Sequence, residues 1–97
     1  DRPVSDRLSF WNGAVSMGKQ LSMDRLPEGV RAQVVAVGGE YAMRRRLLDL
    51  GLIPGTWVTC RGRAPAGDPG AYAFRGCVVA LRARDAAAVA LRPEGAL

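Results

Sequence analysis

Two thiols, nine carboxylates and no histidine are what this 97-residue chain brings to chemistry. Without histidine, Ser-His-Asp and Cys-His catalysis are excluded within the chain, and metal ligation is left to thiols and carboxylates. Cys60 and Cys77 each fall on the apolar face of a strand pattern, where a free thiol behaves as a small hydrophobe. A zinc or iron site wants about four ligands, and two thiols fall short of that. The carboxylates are scattered rather than paired, as general acid–base work requires. Gly38-Gly39 has neither the spacing nor the lysine of a phosphate-cradling loop. The expectation is a protein that is not an enzyme, with no catalytic residue, no metal ligand and no cofactor.

The remaining chemistry is cationic. Of the 14 basic residues only Lys19 is a lysine, and against 9 acidic residues the net charge is +5, with a pI near 10.2. Such a balance permits an acidic protein partner, nucleic acid or an anionic surface. Arg44-Arg45-Arg46 spreads over about 200° of a helix at ~100° per residue, so it cannot form one stripe. It reads as a solvated face or as a docking site for carboxylates, which guanidinium groups take bidentately. Asp68, within Gly67-Asp68-Pro69, reads first as a turn former. Trp57, Thr59, Arg61 and Arg63 alternate onto one strand face, which a nucleic-acid binder would use. Trp57 is its sole aromatic, however, where single-strand binders offer several stacking platforms.

The element that must position these groups is the stretch 44–55, RRRLLDLGLIPG. Met43, Leu47 and Leu50 fall at i, i+4 and i+7 and share a helix face, with Leu48 on its flank. Asp49 lies within one turn of Arg45 and Arg46, which suits surface ion pairs. Gly51 stands where a left-handed residue ends a helix, and Leu52 where a Schellman motif sends an apolar contact back to Leu47. Ile53-Pro54-Gly55-Thr56 has Pro and Gly at the centre of a type II turn. Leu50, Leu52, Ile53 and Pro54 therefore surround a tight turn, and those left exposed make a small interaction patch.

Around this stretch the sequence predicts short elements. Leu21 to Leu26 reads as a helical turn with Ser22 as N-cap, closed by Pro27. Val30 to Val37 is β-branched and strand-like, and Glu40 to Leu50 is the helix. Trp57 to Arg63 alternates, with Val58 and Cys60 on the apolar face. Residues 64–70 form a Pro- and Gly-rich loop. Ala71 to Arg75, with Tyr72 and Phe74 on one side, and Cys77 to Arg82 make a hairpin broken at Gly76. Arg84 to Ala88 favours a helical turn, and Val89 to Arg92 a last strand. The fold class expected is mostly β: a small, closed, SH3-like antiparallel barrel with one central α-helix and short helical turns. It occupies residues 21–97, preceded by an extension or tail at 1–20. There, Phe10-Trp11 packs on the domain, meets a partner or belongs to a segment added for expression. No run reaches the ~18 apolar residues of a membrane span and the start lacks a signal-peptide core, so a cytoplasmic location is expected.

Several motifs in order carry a family resemblance: Leu26-Pro27-x-Gly29, Arg46-Leu47-Leu48-Asp49-Leu50-Gly51-Leu52-Ile53-Pro54-Gly55, Ala64-Pro65-x-Gly67-Asp68-Pro69, Arg75-Gly76 and Ala80-Leu81-Arg82. Over residues 21–92 the chain resembles the FeoA family of small cytoplasmic components of bacterial ferrous iron uptake. The sequence departs from the family pattern at Gly70-Ala71, where a larger apolar residue is usual, and at Cys77, where an aromatic is. The resemblance implies an SH3-like barrel, also found as the C-terminal domain of metal-dependent repressors. It implies a partner, the FeoB permease with its cytoplasmic GTP-binding domain, whose assembly or GTPase cycle the protein would modulate. The residues expected to dock are Arg44, Arg45, Leu52, Ile53, Pro54, Asp68 and Arg75, with Leu52 exposed. The rivals are a basic SH3-like nucleic-acid-binding module and an arginine finger supplied in trans to a GTPase.

Overall fold

The computed structural model describes residues 20–94. Phe10-Trp11, with all of the expected tail but Gln20, lies outside the described residues, as do residues 95–97. Strands β1 (Leu21–Ser22), β2 (Arg31–Val37), β3 (Trp57–Arg63), β4 (Gly70–Phe74), β5 (Cys77–Leu81) and β6 (Val89–Pro93) form one sheet, joined by helices α1 (Tyr41–Leu50) and α2 (Ala83–Ala86) and a 3-10 turn at Met23–Arg25. The strand order is β1-β6-β2-β3-β4-β5, and every adjacent pair is antiparallel. The expected class is met with one difference: the ladder ends at β1 and β5, which do not pair with each other. With only two residues, β1 has little ladder to offer. Among the described residues, no helix is long and apolar enough to cross a membrane.

Alternation sets the core. Val58 and Cys60 on β3, Tyr72 and Phe74 on β4, and Val89 and Leu91 on β6 are all buried, and Met23, Leu26, Leu47 and Leu52 join them in one core. The helical reading at 21–26 resolves into the two-residue β1 and the 3-10 turn, whose N-cap Ser22 makes no side-chain cap bond. Gly70, the first departure from the family pattern, is packed tightly. A Cβ there would meet the Tyr72 hydroxyl at 2.9 Å and its ring at 3.1 Å, so the inward Tyr72 requires a residue with no side chain.

One prediction of facing fails. A register shift between Cys60 and Gly62 on β3 inserts an extra residue, and everything beyond it changes sides. Arg63 is thereby turned away from Trp57 and toward Tyr72. Its Nη2 donates to the carbonyls of Asp24 and Leu26, each at 2.8 Å, and lies 3.5 Å from the Tyr72 hydroxyl. Arg63 thus ties the 3-10 turn to the sheet. The isolated Gly62 inside a strand pattern is the sequence signal that marks such a bulge.

Candidate functional site

The 44–55 stretch folds as its residues dictate. Gly51 is left-handed at φ 103°. Its N–H reaches Leu48 O at 3.0 Å and the Leu52 N–H reaches Leu47 O at 2.9 Å, the paired bonds of a Schellman motif. Thr56 N–H closes the next turn on Ile53 O at 3.0 Å, with Gly55 at φ 96°. The Thr56 hydroxyl donates to Gly51 O at 2.9 Å, which fastens the turn to the helix end. Gly55 N–H to Val34 O and Val34 N–H to Thr56 O, both 2.8 Å, fasten it to β2. The turn is consequently anchored on both sides.

This anchoring sorts the apolar residues. Leu52 is wholly buried beside Leu47, whereas Ile53 and Leu50 are 42% and 39% exposed and Pro54 is exposed. The expectation of an exposed Leu52 is overturned. The Schellman bond that carries the chain back over the helix end turns this side chain into the core, so in the folded protein it offers a partner no surface. Leu50 departs the other way: it shares the Met43 and Leu47 face in sequence, yet at the last helical position it stands beyond the core.

Arg75 arrives from another part of the chain. It and Gly76 are the two central residues of the β4–β5 hairpin, at φ 51° and 81°, the positive pair that a tight hairpin turn needs. Its side chain crosses the helix end: a Cβ at Gly51 would lie 2.5 Å from Arg75 Cδ and 2.8 Å from Nε. The Gly51-Leu52-Ile53 and Arg75-Gly76 motifs therefore meet in space at Gly51, with exposed Leu50 and Ile53 close to that glycine in the chain.

The other predicted docking residues are placed elsewhere or otherwise engaged. Arg45 pairs with Asp49 at 3.7 Å, both exposed, an ion pair of little energetic weight. Arg44 lies 5.9 Å from the ring of Tyr41, itself 70% exposed. Asp68 accepts a hydrogen bond from the Ala83 N–H at 2.8 Å, tying the 64–70 loop to the start of α2, and it lines a shallow cleft with Arg82 and Arg84.

Chemistry other than docking finds little footing. Cys60 is buried and Cys77 half-buried, both free. The Cys77 thiol donates to Phe74 O at 3.2 Å. Among the described residues, no group of three or more His, Cys, Asp or Glu side chains is arranged to hold a metal. The nucleic-acid face is depleted as well: Arg63 has left it, and the Arg31 guanidinium lies 4.0 Å from the Trp57 ring centroid while approaching Glu94 at 3.9 Å. Burial raises the pKa of Tyr72 against the lowering effect of nearby Arg63.

A family model, the FeoA domain, matches residues 21–93. No curated protein matches. Among solved structures, the FeoA protein of Chlorobium tepidum is 34% identical with a TM-score of 0.73, covering 76% of this chain and 70% of that one. The FeoA of Stenotrophomonas maltophilia, solved with zinc and described as a prokaryotic SH3 domain protein, is 28% identical with a TM-score of 0.66, covering 73% and 88%. A manganese-dependent transcriptional repressor shares the fold at 16% identity and a TM-score of 0.69, covering 76% of this chain and 36% of its own. The SH3-like class expected from the strand pattern is thus met, and so is the resemblance read from the motifs. The chain belongs to the FeoA domain family.

Proposed function

We propose that this chain is a non-enzymatic accessory of bacterial ferrous iron uptake that acts in the cytoplasm. It docks on the cytoplasmic part of a FeoB-type permease and modulates that partner's assembly or GTPase cycle. The observation that carries the reading is the FeoA domain match over residues 21–93. The geometry supports it, because a rigidly anchored helix–turn segment leaves Leu50, Ile53 and Pro54 at the surface, as a docking module needs and a catalyst does not. The nucleic-acid alternative has less support, since Arg63 turns away from the Trp57 face and the Arg31 guanidinium covers the Trp57 ring that would stack on a base.

The test is a calorimetric titration of the chain into the permease's cytoplasmic GTP-binding domain. It is run with GDP and with a non-hydrolysable GTP analogue at two salt concentrations, with an unrelated RNA as control. Binding that differs between the nucleotides is the expected result and places the protein within the GTPase cycle. Tight binding to the RNA alone, weakening steeply with salt, overturns the reading.

A further inference from the structure

The helix end and the hairpin turn bring cationic and apolar groups to one place. Arg75 lies across Gly51, and Leu50 and Ile53 flank that glycine with 39% and 42% of their surfaces exposed. Arg46 precedes Leu50 by one helical turn, so the two side chains are neighbours on the helix surface. Arg45 has Asp49 and Arg31 has Glu94. The side chains of Arg46 and Arg75, both exposed, make no hydrogen bond or ion pair with the described residues.

We propose that Arg46, Leu50, Ile53 and Arg75 form a receptor patch for an acidic segment of the partner in which a carboxylate stands between apolar side chains. The inference rests on the docking reading above and adds the surface and the chemistry of what sits on it. Arg75 carries the specificity. Its backbone is held in the hairpin turn and its stem passes over Gly51, so less side-chain freedom is left to lose on binding than for an arginine on an open helix face. The planar guanidinium takes a carboxylate through two parallel hydrogen bonds. Leu50 and Ile53 exclude water around that pair once covered, which strengthens it. Phosphodiester backbones fit poorly, since they call for a track of cations and aromatic stacking faces, and the flanks here are aliphatic.

The discriminating variant is Arg75→Asn. Asparagine tolerates the left-handed turn position well, so the fold is kept while the guanidinium is removed. Wild type, Arg75→Asn, Ile53→Ala and the distant surface control Arg84→Gln are titrated calorimetrically into the detergent-solubilised full-length cognate permease. Circular dichroism confirms the fold of each. Wild type and Arg84→Gln are expected to bind alike, Arg75→Asn at least tenfold more weakly and with a shallower salt dependence, and Ile53→Ala several-fold more weakly. Wild-type binding with Arg75→Asn within twofold of it overturns the patch and leaves docking standing. An unchanged Ile53→Ala overturns the apolar half of it. No wild-type binding in either nucleotide state overturns the docking reading itself, and the patch with it.

Discussion

The side chain of Arg75 crosses Gly51 so closely that a Cβ at Gly51 would stand 2.5 Å from Arg75 Cδ. Two motifs separated by a strand, a loop and another strand are thereby in direct contact, and the glycine is required twice over. Its φ of 103° ends the helix, and its missing side chain admits the arginine.

These two requirements are separable by mutation. Gly51→Ala is expected to destabilise the fold by roughly 1–2 kcal/mol for the left-handed backbone alone, plus a contribution from displacing Arg75. In an Arg75→Ala background the second contribution vanishes, so the cost of Gly51→Ala should fall. A double-mutant cycle by urea unfolding measures the difference. Equal costs in both backgrounds would show that Arg75 swings aside freely.

Leu52 and Ile53 are adjacent in sequence and opposite in burial. Leu52→Ala should cost about 2–5 kcal/mol, because it empties a fully enclosed site. Ile53→Ala should cost under about 1 kcal/mol, since much of that side chain already meets water. Urea midpoints with unchanged slopes would check the pair. A charged residue at position 52 is expected to unfold the domain rather than report on docking.

Tyr72 predicts a pH dependence at the alkaline end. Burial raises its folded pKa above the ordinary value near 10. Between the unfolded and folded pKa values the unfolded chain therefore releases a proton that the native state keeps. The stabilising effect is full below pH ~10 and is lost as pH rises from there through the folded pKa. Chemical denaturation at pH 9 and pH 11 should show a smaller alkaline loss in Tyr72→Phe than in wild type. Equal losses would mean that other groups drive alkaline unfolding.

Local backbone chemistry made much of the fold legible in advance. Pro54 fixes its own φ, and Gly51 and Gly55 admit the positive φ that other residues resist, so the helix end, its Schellman bonds and the following turn could be placed from sequence. Strand alternation likewise put Val58, Cys60, Tyr72 and Phe74 inside, because a period of two leaves only two faces to choose between. Arg63 shows where that logic breaks. A single extra residue at the β3 bulge reverses the facing, and the bulge exists only relative to β4.

What only the tertiary structure decided is non-local. Whether Leu52 or Ile53 faces the core depends on how the turn is bonded back to Val34 and Gly51, not on hydrophobicity, which the two share. Whether Arg75 is one more solvated arginine or a fixed group beside Leu50 and Ile53 depends on the hairpin tip meeting the helix end. The sequence by itself determined the elements from β2 onward, the fold class and the family resemblance, because these rest on local conformational preferences and motif order, whereas β1 exists only by pairing with β6. The make-up of the surface patch came from the fold, because packing alone brings residues distant in the chain within contact distance.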